Sequence, residues 1–510
     1  MKKNALFNSI QISKPRRNLF DLSHDRKFSC PMGYIIPVLA EEIIPGDKWR
    51  KKSSVFLRLA PMVAPMLERV NIIQHDFFVP YRLIWPESEK FFTGGENVTD
   101  PVVPFPYMPL GGTEKDLIVP GTLHDYIGGA TCDPAVTPTV ALNVSTLPYR
   151  AYQMIWNEYY RDQNLQAKVA FNTTSTPVTD GNEKTELLTL RKKAWEKDYF
   201  TSCLPFTQKG SPVNIPADIA YKDISDVIDS QTEGIPSGPS TIGQTAGKLQ
   251  VTMGGNDARI ENIDGLEITI NDLRRANKLQ EWLEKNARGG SRYIETMLAH
   301  FGVKSSNKLL QRPQYLGGSK NGVQISEVLS SWGTESGLPL GEMGGHGVAA
   351  GTNYSFNHFF EEHGIILSLL SVIPKTSYMQ GQAKFLSKFD KFEYAWPSFA
   401  HLGEQEVRMN ELYFDYTAGN AAQIFGYQSR YAEYKFGRST VHGDFKTTLD
   451  HWHMGRKFAN QPALNSDFIS SDPTQRIFAN TDETDHKCYV HIYHDIRAFR
   501  ALPLFGTPTL

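Results

Sequence analysis

Hydrophobic and polar positions along this chain fall into short alternating runs that are spread from one end to the other. In the run Cys488 to Ile496, Cys488, Val490 and Ile492 share one face while Tyr489, His491 and Tyr493 share the other. Period-two alternation in β-branched and aromatic residues predicts a strand, and bulk on both faces predicts that both are at least partly covered, as in a packed sandwich. Val70 to Val79 is closed by Pro80, and Gly364 to Ile373 by Pro374. Both read as strands, because proline withholds the N–H that would continue a ladder.

A period of three to four appears between these runs. Leu147 to Leu165 carries Pro148 near its start and places Tyr152, Ile155, Trp156 and Tyr159 on one stripe. This predicts a helix that must pack along that stripe. From Asp272 to Ala287, with Asn271 placed as a cap, Leu273, Ala276, Leu279, Leu283 and Ala287 fall on one face, and Arg274, Lys278, Glu281, Glu284 and Lys285 on the other. Gly289 and Gly290 end that helix, and a second starts at Ser291 with Ile294, Met297, Leu298 and Phe301 in phase before Gly302. The helices therefore lie within long connections of a strand-rich fold, and no internal repeat is found. Gly210 to Gly265 is turn-rich and unpatterned, which suits a projecting functional loop or a disordered one.

Composition narrows this picture. At 510 residues the chain can bury a large core. With 53 basic and 55 acidic residues the charge is nearly balanced, so contact with a polyanion should be confined to a patch. Glycine (40) and proline (30), with 12% aromatics, suit many short strands and long loops better than a helical bundle. Cys30, Cys132, Cys203 and Cys488 form no C-x-x-C pair and read as reduced, buried thiols of a chain folded in a cytoplasm. No apolar core of signal-peptide length follows Lys2 and Lys3, and the longest apolar run, Ile365 to Ile373, is too short to cross a bilayer.

Candidate chemistry is concentrated in a few places. Residues 1–20 hold Lys2, Lys3, Lys14, Arg16 and Arg17 and no carboxylate before Asp21. Phosphates are the natural partners of such an arm, since each cation that neutralises one releases condensed counterions. Phe7 and Phe20 are available for base stacking, and the alternative is a frayed terminus kept soluble by charge. Lys48-Trp49-Arg50-Lys51-Lys52 either joins the arm or forms a solvated turn. Six histidines crowd the last part of the chain, at 442, 451, 453, 486, 491 and 494. His451-x-His453 would put both rings on one side of a strand, and His491 and His494 could add nitrogen ligands if the chain brought them together. No His-Glu-x-x-His pattern occurs, and polar packing at strand edges or subunit contacts is the favoured reading over a metal site. Nucleophile-elbow, phosphate-loop and dinucleotide patterns are not found, and Gly341 to Gly347 reads as a flexible loop. Glu41-Glu42 and Glu361-Glu362 read as ordinary solvated charges, since sequence neighbours on a strand point to opposite faces. No catalytic residue, metal or cofactor is expected.

One ordered series of blocks is more specific than any single motif. It comprises Asn18-Leu-Phe-Asp-Leu-Ser-His24, Leu59-Ala-Pro-Met-Val-Ala-Pro-Met66, Phe77-Phe-Val-Pro-Tyr-Arg-Leu-Ile-Trp85 and Trp156-Asn-Glu-Tyr-Tyr-Arg-Asp-Gln-Asn164, then Asp198 to Gly210, Ile270 to Ile294, His300 to Gly302 and Gln311 to Gly318. The series, with its variable gap at about 208–264, resembles the major capsid proteins of the Microviridae, the small single-stranded-DNA bacteriophages, and most closely the gokushovirus type. The resemblance implies a mainly β chain: a single eight-stranded antiparallel jelly roll over residues 21–510 with long helix-containing loop insertions, preceded by the basic arm 1–20. It implies an icosahedral shell of sixty copies around packaged single-stranded DNA, assembled in a bacterial cytoplasm with minor scaffolding, pilot and DNA-binding proteins. In such capsids the stretch matching 208–264 projects outward, where contact with a host surface receptor is expected. Segments expected to wrap neighbouring subunits are Phe91 to Leu110, Tyr378 to Phe399 and Phe499 to Phe505, each apolar but broken by proline, glycine or charge. The rival readings are a β-sandwich carbohydrate-active enzyme, which needs two converging carboxylates, and a standalone single-stranded-DNA-binding protein, which the near-neutral charge disfavours.

Overall fold

The computed structural model describes residues 16–95, 99–211, 270–290, 292–304, 306–331, 341–482 and 484–505, together with Val213 and the backbone of four short strands between Ile228 and Arg259. The basic positions before 16 and most of 208–264 lie outside these residues. The chain divides into two compact units, one comprising Met1–Phe206 and Val303–Leu510, the other Thr207–Gly302.

The first unit is mostly β, with antiparallel sheets and helices carried in the connections. Its strands are β1 (Asn18–Asp21), β2 (His24–Cys30), β3 (Ile36–Ile43), β4 (Lys48–Leu59), β5 (Val70–Pro80), β6 (Gln314–Gly322), β7 (Gln324–Leu329), β8 (Met343–Phe359), β9 (Gly364–Pro374) and β10 (Cys488–Arg500). One sheet runs β1-β10-β4-β8-β7, with β2 pairing the same edge of β10 as β1, so that the two together act as one interrupted strand. The other runs β6-β5-β9-β3. Two long connections, from Tyr81 to Pro313 and from Lys375 to Lys487, carry almost everything else, and they include the paired segments Glu404–Arg408 and Ile424–Ser429.

Side-chain alternation places the core between the sheets. On β4, Trp49, Lys51, Ser53, Val55, Leu57 and Leu59 are buried, and every intervening residue is exposed. On β9 all eleven residues are buried. Its Ile366, Leu370 and Val372 pack towards the larger sheet, while Ile365, Leu367 and Leu369 pack into a cluster with Tyr149, Tyr152 and Ile155. The last three belong to helix α1 (Leu147–Ile155), so the smaller sheet is covered on its far side by its own connections. Among the described residues, the larger sheet has one open face. On β10, Cys488, Val490 and Ile492 are buried, but Tyr489 and Tyr493 are exposed. The sequence predicts at least partial cover on both faces, and the outward face is only partly covered, with Tyr489 47% and Tyr493 42% exposed.

Departures from expectation have local causes. Helix α1 gives way at Trp156 to a single π-helical turn, Trp156–Tyr160, instead of running to Leu165. The stretch read as a flexible loop, Gly341 to Gly347, enters β8 at Met343 and pairs with β7. Its glycines are strand residues held close to neighbours: a Cβ on Gly347 would sit 2.7 Å from Leu59 Cδ1, and one on Gly345 would collide with the Ala64 carbonyl oxygen. In the second unit, α2 (Ile270–Gly289) begins ahead of Asn271, which therefore lies inside the helix, and α3 (Tyr293–Phe301) ends at Gly302 in the left-handed region. Leu273, Leu279, Leu298 and Phe301 on these two helices are exposed.

Candidate assembly surface and nucleic-acid interface

Apolar side chains left in water are the first feature of function. In the segment from Tyr378 to Phe399, Tyr378 and Met379 are buried within their own chain, but Phe385, Leu386, Phe392, Tyr394 and Trp396 are exposed, and Phe389 is 90% exposed. Short 3-10 turns hold the exposed part (Lys384–Ser387, Lys391–Glu393, Pro397–Phe399). Glu393 clamps one of them by accepting from the Phe389 and Asp390 amides. The same division holds in Phe91 to Leu110: Phe91, Phe92, Val102 and Phe105 are exposed, whereas Met108 and Leu110 are buried in their own subunit and are not available to a neighbour. Past β10, Leu502, Leu504 and Phe505 are exposed as well. An ordered backbone displaying so many apolar side chains is a surface that another chain must cover.

Of the expected nucleic-acid contacts, Lys2, Lys3 and Lys14 lie outside the described residues. Arg16 and Arg17 are exposed just ahead of β1, and the Arg17 guanidinium lies 5.6 Å from the centre of the Phe359 ring. Phe20 is only half-exposed and opposite Ala498, on the inward side of β1. The basic run at Lys48 is neither an arm nor a turn. It opens β4, so Lys48, Arg50 and Lys52 point outward while Lys51 is fully buried between the sheets.

Lys51 Nζ donates to Asp76 Oδ1 on β5 and to Ser368 Oγ on β9, each at 2.6 Å. Burial pulls its ammonium below the ordinary lysine range, and Asp76 opposes that. Beside it, His494 Nε2 donates to the Val38 carbonyl at 3.0 Å, and its Nδ1 lies 2.9 Å from Ser53 Oγ. A carbonyl only accepts, so the proton is on Nε2 and Ser53 donates to Nδ1. Burial and then Lys51 pull His494 down to about 3. This polar seam ties five strands, β4 and β10 of one sheet and β3, β5 and β9 of the other, across an otherwise apolar interior.

The remaining histidines are dispersed. His491 faces outward and lies 2.8 Å from Asp25, the opposite face from His494. His453 is held by the Phe445 carbonyl and the Gly455 amide, His486 by Ser29, and His442 by Thr440. No group of three metal-ligating side chains occurs among the described residues. The carboxylate pairs have local partners: Glu361 pairs with Lys308, Glu362 with Arg82 at 2.5 Å, and Glu42 accepts from Tyr81 at 2.9 Å. No described helix is long and apolar enough to cross a membrane.

A two-sheet body that keeps its apolar arms uncovered is a structural subunit made for association. The comparisons with known proteins give the same class. The capsid protein (F protein) family matches residues 8–510. The chain is 33% identical to the capsid protein VP1 of Chlamydia phage 1 (99% of this chain, 97% of that one) and 33% identical to the capsid protein VP1 of Bdellovibrio phage phiMH2K (98% and 97%). It is 29% identical to the capsid protein VP1 of Spiroplasma virus 4 (100% and 98%). The chain belongs to the capsid protein (F protein) family of the Microviridae, of the gokushovirus-like type. It is a major capsid protein of a single-stranded-DNA phage, a structural component of the virion and not an enzyme, and it builds a homo-oligomeric shell.

Proposed function

We propose that the first unit is a single eight-stranded jelly roll and that sixty copies of the chain close into an icosahedral shell around single-stranded DNA. Counting β1 with β2 as one interrupted strand and β7 as an edge addition to β8, the two four-strand orders are β2-β10-β4-β8 and β3-β9-β5-β6. Each sheet thus interleaves strands from the start and end of the chain, the Greek-key signature of that fold. The observation that carries the reading is the exposed row from Phe385 to Trp396. Burying six such side chains against a neighbour is worth roughly 9–18 kcal/mol before the entropy of association is subtracted. A monomer leaves that unused, and a closed shell recovers it once per subunit.

The rest of the reading follows the family. The arm 1–20, with Lys2, Lys3, Lys14, Arg16 and Arg17, contacts the packaged genome from the inner wall. The stretch 208–264 stands on the outside as an insertion of the jelly-roll domain, where it meets a host receptor. Scaffolding, pilot and DNA-binding proteins assist assembly in the bacterial cytoplasm. Electron microscopy of the purified protein, with sedimentation velocity, tests the shell: uniform closed particles with icosahedral averaging to sixty subunits are expected. Persistent monomers under all assembly conditions, or open tubes, would sink the proposal.

A further inference from the structure

We infer that the open face of the larger sheet is a binding platform for single-stranded nucleic acid, distinct from the basic arm. The inference rests on the reading of this chain as a subunit enclosing a single-stranded genome, and it assigns the genome a folded surface instead of a terminal tail.

The face is chemically unlike the chain as a whole. Overall charge is −2, yet Lys27, Lys48, Arg50, Lys52 and Arg58 all project from this one surface. None of the five has a carboxylate partner within 4.0 Å among the described residues. The three carboxylates on the same face are already engaged: Asp21 with Arg497 at 2.6 Å, Asp25 with His491 at 2.8 Å, and Asp495 with Ser23 at 3.4 Å and Arg497 at 3.5 Å. The β4–β10 register also sets Arg50 directly opposite Arg497. Arg497 is already held by Asp21 and Asp495, so Arg50 is the cation of this cross-strand pair left for a polyanion.

Aromatic rings interleave with the cations. Across the β4–β10 ladder, Tyr489 faces Arg58, Phe56 faces His491 and Phe499 faces Lys48, while Phe359 on β8 flanks Lys48 from the other side. Phe56, Tyr489, Tyr493, Phe499 and Phe359 are each between 36% and 47% exposed. Successive outward residues on a strand lie about 6.8 Å apart, twice the rise per residue. Rows of rings and charges therefore repeat at the scale of one unstacked nucleotide. Stacking on a protein ring needs a base whose flat face is free, which a duplex does not offer. The polar residues between the rings, Ser54, Thr352 and Asn357, keep the face from being an apolar patch suited to a protein neighbour. Arg17 reaches Phe359, so the basic arm joins the body beside this platform and the two can track one strand.

The test uses unassembled full-length protein and a fluorescein-labelled poly-dT oligonucleotide, followed by fluorescence anisotropy across a salt series. Substituting Lys48→Gln, Arg50→Gln and Lys52→Gln together should weaken binding at least tenfold and reduce the slope of log affinity against log salt by about 2, at roughly 0.7 per cation. Substituting Phe56→Ala, Tyr489→Ala and Tyr493→Ala should weaken binding at least tenfold with the slope unchanged. Thermal melts of each variant report folding, and a variant that melts early is replaced by its single substitutions. Wild-type affinity in both triple variants, or loss of all binding on deleting residues 1–17 alone, overturns the inference. So does tighter binding of a duplex or of polyglutamate than of poly-dT, which would mark a groove or acidic-protein surface. Oligonucleotide binding lost as expected in a protein that never forms particles would sink the shell reading and leave this one standing.

Discussion

Lys51 shows how much depends on a single position. It lies in a run of four cations within five residues, and only the alternation of β4 separates it from its neighbours by turning it inward onto Asp76. Removing one partner strands a buried charge: Asp76→Ala should lower unfolding stability by about 3–5 kcal/mol, whereas Lys51→Met with Asp76→Leu should recover most of that loss. Urea denaturation of the unassembled chain reads both. Three other residues set pH dependences, two of one sign and one of the other. His494, held at about 3 by burial and Lys51, is neutral when folded. The unfolded chain takes up the proton first, so stability present above the unfolded value near 6.5 is lost as pH falls towards 3. His75, pulled to about 4 by burial, acts in the same direction. Glu68 acts in the other: burial pushes it up to about 7, against a hydrogen bond from Ser377. Its contribution is full below 4.5 and is lost as pH rises through 7. Glu68→Gln is expected to raise Tm at about pH 8 and to leave it unchanged at about pH 4. His494→Gln should flatten the fall in Tm between about pH 6 and pH 4, and an unaltered slope would show that the seam does not carry it.

At the scale of elements, the strands ending in proline were legible and the glycine-rich one was not. Val70–Pro80 and Gly364–Pro374 are continuous apolar runs with a terminator, so their type and end are local properties. Gly341 to Gly347 looks like a loop because glycine has no side chain to show a period. It is a strand because β7 supplies a ladder and Ala64 and Leu59 leave no room for a Cβ. Gly345→Ala should therefore cost about 1–3 kcal/mol through overpacking against the Ala64 carbonyl, read as an earlier urea midpoint. A midpoint equal to the wild type would mean that the hairpin moves freely. The thiols make a related point. Cys30 and Cys488, at opposite ends of the chain, are direct cross-strand partners and both fully buried, while Cys132 is only partly buried. Residue spacing does not reveal such a pairing, because it depends on which strands become neighbours.

At the scale of the whole molecule, the apolar arms divide the chain's surface into parts already satisfied and parts that need a second copy. Phe385→Ser with Phe389→Ser should leave the melting of the unassembled subunit unchanged, since both rings are exposed there, and should lower the yield of closed particles at least tenfold by sedimentation. A matched loss of subunit stability would place those rings in the monomer's own core instead. The arms were readable as candidates from their mixture of aromatics, proline and charge. Which half of each is used was not, since Met108, Leu110, Tyr378 and Met379 are sealed inside their own chain.

The sequence alone determined the family, the strand-rich character and the segments of apolar excess, because these rest on residue identity in order and on periods a few residues long. Only the tertiary structure decided that one sheet is covered and the other open. Burial of a face depends on what lies across it, and here helix α1 (Leu147–Ile155) covers β9 (Gly364–Pro374), which lies far along the chain from it. The same rule turned a basic run into three outward cations and one buried ion pair.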